Sequence, residues 1–187
     1  MSLLVLYYSR SGNNRLLAQH LAQRLGAAVE EVKTRFWYPL PRMIWQLRTG
    51  NLPAVRPLSH DPAGFDHVLL VAPLWDMHVA FPLAAALQAN RTAIGRYDFA
   101  TFCGYVREGQ PEAVRKSLAE LVGHPPVHQI ELHVGDLVPA EQRYNVRKVS
   151  GRRVRPSDLS TFERQIAAII GWYASGEAGG GGTRGGR

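Results

Sequence analysis

The small polar residues Ser9, Ser11, Asn13 and Asn14 surround Gly12 in the stretch "YYSRSGNNR" near the start of the chain. Hydroxyls and amides donate hydrogen bonds, and glycine lets a backbone approach a ligand closely or turn left-handed. Between a strand and a helix such residues suit an anion. The first backbone N–H groups of a helix lack intrahelical acceptors and favour negative charge. A plain capped turn uses the same residue types, so the stretch by itself supports both readings. Among phosphate ligands a monophosphate fits best. A triphosphate loop would need Gly-Lys-Ser/Thr, and a dinucleotide loop three spaced glycines; neither is present. Arg10 and Arg15 flank the stretch and could add charge to it.

Other chemistry is sparse. No pair of carboxylates stands out as an acid and a base. Ser9 lacks the glycine two positions earlier that a nucleophile elbow requires. His124, His128 and His133 are separated by Pro125 and Pro126 and do not have metal-site spacing. Cys103 is the only cysteine, which excludes an internal disulfide and a multi-cysteine metal site, and reads as a buried strand end.

These loops need elements to hold them. Apolar runs predict strands over Leu3–Tyr8, Ala28–Val32, Val68–Val71, Phe99–Cys103 and Val127–Val134. Helices are predicted from a cap at Asn13 or Asn14 to Leu25, over Phe81–Leu87 and Pro111–Val122, and over Leu159–Trp172 with Ser157 or Asp158 as cap. Gly26 and Gly123 sit where helix C-caps are expected. Alternating strands and helices imply parallel strands joined by right-handed crossovers, hence an α/β fold as a three-layer α/β/α sandwich on a five-stranded parallel sheet. Ligands in such a sheet sit at the carboxyl ends of the strands.

The 187 residues and 45% apolar content suit one domain with its own core, expected over 1–175. A Gly-rich flexible tail is expected over 176–187. The N-terminus lacks the basic region and cleavage site of a signal peptide, and the lone cysteine fits a reducing compartment, so the expected location is the cytoplasm. The net charge of +7 and pI near 10.0 favour acidic partners.

Three stretches together resemble the flavodoxin-like family of the short-chain type. "VLYYSRSGNNRLLAQHLAQRL" resembles its phosphate loop, "FDHVLLVAPLWDMHVAFPLAAAL" its second loop, and "FATFCGYVREGQPEAVRKSLAELVG" its third. The resemblance implies a sheet in order 2-1-3-4-5 and non-covalent FMN. It implies electron transfer or a small flavin oxidoreductase; the alternative is a degenerate binding or scaffold module that has lost FMN. The cofactor-binding set it implies is Ser9, Arg10, Ser11, Gly12, Asn13 and Asn14, then Pro73, Leu74, Trp75, Asp76 and Met77, then Cys103, Gly104 and Tyr105. Trp75 would lie against the flavin ring, and Tyr105 could cover its other face. Asn14 replaces a usual threonine and Ala72 a usual hydroxyl. Met77 replaces a glycine that lets a peptide flip, and methionine resists positive φ.

Partner expectations follow from charge. Steering would run toward an acidic redox protein, with NAD(P)H or a quinone as small-molecule partners; nucleic acid is disfavoured. Two segments fall outside the βαβ rhythm. Arg35–Pro53 carries Phe36, Trp37, Tyr38, Met43, Ile44, Trp45 and Leu47 among Arg35, Arg42 and Arg48. It reads as a cover over the sheet, or else as a lid, a partner surface or a peripheral membrane contact. The basic run from Arg143 to Arg155 reads as a solvated, flexible loop, or else as a surface that steers an acidic redox partner or binds nucleic acid.

Overall fold

Five strands ending at one edge organise the molecule. In the computed structural model, which describes residues 1–174, these are β1 (Leu3–Tyr7), β2 (Ala28–Glu31), β3 (His67–Val71), β6 (Tyr97–Cys103) and β7 (Gln129–His133). They pair in parallel in the order β2-β1-β3-β6-β7. Between β3 and β6 the chain forms a separate antiparallel hairpin, β4 (Leu74–Trp75) and β5 (His78–Val79). Among the strands of the main sheet the chain order is therefore the expected 2-1-3-4-5. The Gly-rich tail lies outside the described residues.

The sheet is buried on both faces, and β1 shows why. Leu3, Val5 and Tyr7 point to one side, where they join Leu17 and Leu21 of α1 (Asn13–Leu25) with Phe162, Ile166 and Ile169. Leu4, Leu6 and Tyr8 point to the other side. There they join Leu83 and Leu87 of α3 (Phe81–Ala89) and Val114 and Leu118 of α4 (Gln110–Val122). Side chains alternate along a strand, so a continuous apolar run buries both faces. Each fully buried leucine contributes about 1.5–3 kcal/mol relative to exposure.

Several boundaries differ from the sequence reading. Gly12 (φ 94), not an asparagine, is the N-cap of α1, and its left-handed backbone replaces a side-chain cap. Gly26 and Gly123 are left-handed C-caps as expected. The closing helix α6 is Glu163–Ala174, preceded by a tighter 3-10 segment over Pro156–Phe162 in which Asp158 bonds the backbone N–H of Arg155. Two additional helices, α2 (Leu40–Thr49) and α5 (Val146–Gly151), lie in the segments that broke the rhythm.

The opposite edge of the sheet is fastened by one buried carboxylate. Asp98 Oδ2 accepts from the Tyr173 hydroxyl at 2.7 Å and lies 2.8 Å from His67 Nε2. Asp98 Oδ1 accepts from the His128 backbone N–H at 2.9 Å, with His128 Nδ1 also at 2.9 Å. Trp172 stacks on His128 at 4.9 Å, so α6 is held through two residues. Burial opposes ionisation of Asp98, but His67, Tyr173 and the His128 backbone outweigh it and hold the carboxyl below its ordinary value.

A depressed folded value means this contribution is complete above the unfolded carboxyl value, about 3.9, and is lost as pH falls through the folded one. Urea midpoints measured against pH should therefore fall below about pH 4. In Asp98→Asn the midpoint should be lower at neutral pH, and the acid-side drop shallower.

Candidate functional site

The carboxyl ends of β1, β3 and β6 open onto a cavity of about 830 Å³. Of the residues implied by the resemblance, Ser9, Arg10, Ser11, Asn13, Asn14, Pro73, Leu74, Trp75, Cys103, Gly104 and Tyr105 all line it. Gly12, Asp76 and Met77 do not. The three loops thus converge from strands that are neighbours in the sheet but distant in sequence.

The first loop is built mostly from its own hydrogen bonds. Ser9 Oγ accepts from the Gly12 N–H at 3.1 Å, and Ser11 Oγ from the Asn13 N–H at 3.4 Å. Each hydroxyl keeps its own proton to donate. The asparagines differ from the sequence expectation of side-chain donors to a phosphate. The Asn14 amide donates to the Phe102 carbonyl at 3.0 Å and accepts from the Phe102 N–H at 2.9 Å. The Asn13 amide donates to the Arg152 carbonyl at 3.0 Å and accepts from the Val154 N–H at 3.1 Å. Both side chains are buried and engaged with backbone, and the Asn13 N–H is itself given to Ser11, so neither amide is left for a ligand. Arg15 turns away and pairs with Glu31. Arg10 remains at the cavity, its guanidinium donating to the Tyr38 carbonyl at 3.2 Å.

The second loop is a hairpin with two central residues, Asp76 (φ 48) and Met77 (φ 65), both left-handed. A two-residue hairpin requires this, because its twist must match that of the flanking strands. The pairing of Leu74 with Val79 and Trp75 with His78 imposes on Met77 a backbone that methionine was expected to resist. The bond from the Ala80 N–H to the Pro73 carbonyl, 3.0 Å, closes the base.

Trp75 does not stand alone. Tyr38 lies nearly parallel to it, 15° apart at 6.1 Å between centroids, and also lines the cavity. The Tyr38 hydroxyl donates to Gln46 Oε1, and burial pushes this phenol up to about 12. The aromatic wall is therefore a pair. Tyr105 meets Tyr144 edge-on at 5.6 Å on the other side.

The basic run is solvated as expected, with Arg143, Arg147, Lys148, Arg153 and Arg155 exposed, but it is not all loop: α5 forms within it, and Val146, Val149, Ser150 and Arg153 line the cavity. Gly135 lets this segment pack, since an added Cβ would meet the Arg143 carbonyl at 3.0 Å and the Gly104 carbonyl at 3.2 Å. Sequence reasoning missed Tyr38, Met43, Ser150 and Arg153 as lining residues; their only sequence signal was lying in segments outside the βαβ rhythm.

At the cavity edge, Glu131 Oε2 accepts from Gln110 Nε2 at 2.9 Å and lies 3.2 Å from His133 Nε2 and 3.7 Å from Cys103 Sγ. The ligand atoms of Cys103, Glu131 and His133 are within 4.8 Å of one another, a grouping invisible in the sequence. Burial opposes the Glu131 charge, but His133 and Gln110 outweigh it and lower the carboxyl. Burial and that same carboxylate push the Cys103 thiol up, so it is a poor nucleophile.

Comparison with solved structures agrees with this architecture. A flavoprotein of Lactobacillus acidophilus NCFM in complex with FMN is 20% identical, covers 80% of this chain and 98% of its own, and has a TM-score of 0.56. The apo form of the Lactobacillus protein is 18% identical, over 68% of this chain and 91% of its own, with a TM-score of 0.55. A candidate flavoprotein of Bacteroides eggerthii is 13% identical over 80% and 98%, with a TM-score of 0.61. The chain has the flavodoxin-like fold. No protein-family model and no curated relative matches its sequence.

Two stability tests follow from the flavodoxin-like scaffold. Asn14→Ala leaves the Phe102 N–H and carbonyl without partners and should cost about 2–3 kcal/mol in urea unfolding. Met77→Gly relieves a left-handed methionine, and should raise the unfolding free energy by about 1 kcal/mol, read as a higher urea midpoint.

Proposed function

We propose that this protein is a flavodoxin-like flavoprotein that binds FMN in the cavity and passes electrons, as a carrier or a small oxidoreductase. One observation carries the reading. The lining contains Arg10 and Arg153, an aromatic pair and the start of α1, and no carboxylate. Among the described residues, neither arginine has an acidic partner.

This donor set suits FMN, which joins a phosphate to a planar aromatic ring. The Ser9 and Ser11 hydroxyls, the backbone N–H groups at the start of α1 and Arg10 would hold the phosphate. Trp75, with Tyr38, supplies an aromatic wall, and Tyr105 a second one. Pro73, Leu74 and the buried Val149 would help exclude water around the ring. Bound FMN supplies the one- and two-electron chemistry, so the protein's contribution is binding, orientation and electrostatics. The surface charge of +7 suits an acidic redox partner, and that association should weaken with salt.

The purified protein should be yellow, or should quench flavin fluorescence on titration with FMN. A colourless protein with no quenching at saturating FMN would sink the reading in favour of a scaffold module. Trp75→Ala should weaken FMN binding and brighten residual flavin emission. Arg10→Ala should weaken FMN about tenfold while leaving riboflavin, which lacks the phosphate, nearly unchanged. Anaerobic bleaching of the flavin band by NAD(P)H would favour the oxidoreductase over the carrier.

A further inference from the structure

Helix α2 is inside-out. Its one buried residue is Gln46, a polar side chain, which takes the Tyr38 hydroxyl. Its apolar residues face outward: Leu40, Ile44, Trp45 and Leu47 are all exposed, Trp45 at 52%. The turn before it extends the surface, with Phe36 60% and Trp37 83% exposed. None of these joins either core cluster. The segment is nevertheless fixed at its neck, where Thr34 bridges Val55 and the Arg35 N–H bonds the Ala54 carbonyl at 2.9 Å. The expectation that these residues cover the sheet is not met. Soluble proteins rarely leave this many large apolar side chains exposed on one short segment without an occupant.

The charge around the patch selects the occupant. Between Glu31 and Asp61 the chain has no acidic residue, but it has Lys33, Arg35, Arg42, Arg48 and Arg56. Among the described residues, none of these five has a carboxylate within ion-pair distance. Arg35 lies against the Phe36 ring, 5.9 Å from its centroid. Exposed tryptophans interleaved with arginines are the pattern of a helix lying in the headgroup layer of a membrane. A second copy of this chain would bring the same cations face to face, which like-charge repulsion disfavours. No helix of the described residues is long and apolar enough to cross a bilayer, so the contact is one of lying on the surface.

We propose that α2 and the preceding turn dock this protein on an anionic bilayer surface, with Phe36, Trp37, Ile44 and Trp45 in the interface and Arg35, Arg42 and Arg48 on lipid headgroups. The inner side of the same segment, through Tyr38 and Met43, lines the cavity. Docking therefore places one wall of the cavity toward the membrane. The inference stands independently of the cofactor reading.

The test is sedimentation of the full chain with vesicles, read as protein mass and not as flavin. The protein should pellet with phosphatidylcholine–phosphatidylglycerol vesicles and stay in solution with pure phosphatidylcholine. Brominated lipid should quench its tryptophan emission. Trp37→Ser/Trp45→Ser, both at exposed positions, should keep the circular dichroism of the wild type and lose partition about tenfold. Absence of pelleting with the anionic vesicles would overturn the proposal. So would equal pelleting of the double variant, which would trace binding to net charge alone. A concentration-dependent dimer in sedimentation equilibrium, abolished in the double variant, would overturn it as well by assigning the face to a second copy.

Discussion

The site depends on two consecutive amides. Asn13 and Asn14 open α1, and each makes a donor and an acceptor bond to the backbone of a different distant segment. Asn14 joins the start of the helix to β6 one residue before the third loop. Asn13 joins it to the strand-like stretch after α5. Three walls of the cavity are therefore referenced to one helical turn. A buried amide that satisfies both backbone groups contributes modestly in net terms, but an unmatched partner is costly, so the arrangement is all or nothing. The anion-attracting end of α1 is placed by these bonds.

The cavity is positive because the acids have other partners. Glu31 takes Arg15, Asp158 takes Arg152, Asp136 takes Arg143, and Glu131 is surrounded by Gln110, His133 and Cys103. These pairings leave Arg10 and Arg153 at the lining. Exposed ion pairs of this kind add little to stability, but they decide which cations remain to act on a ligand. A net charge spread over the surface thus becomes a local field in one place.

The segment from Lys33 to Pro57 replaces a regular crossover with a piece that faces two ways. Its inward residues, Tyr38, Met43 and Gln46, serve the cavity, and its outward residues are bare aromatics and arginines. The aromatic wall is itself shared between this segment and the hairpin that carries Trp75. Tyr38 precedes α2, bonds Gln46 within it and stacks on Trp75, so one ring pair ties this segment to the cavity wall.

The strands and the main helices were legible from the residues because they rest on local properties, and the family resemblance pointed to the three loops that line the cavity. Apolar runs mark strands buried on both faces, Gly26 and Gly123 mark helix ends, and the loop residues Ser9, Pro73 and Gly104 follow strands whose ends must meet at one edge. Local pattern alone did not show that the Asn13 and Asn14 amides are committed to backbone. Nor did it show that Arg15 leaves the site while Arg153 enters it, or that Trp37 faces outward. Each of these depends on which partner lies opposite, and the partners are far away in sequence: Asn14 meets Phe102, and Asn13 meets Val154. Residue type sets what a side chain can bond to; only the tertiary structure decides which bonds are already made, and so which groups remain for a ligand or a surface.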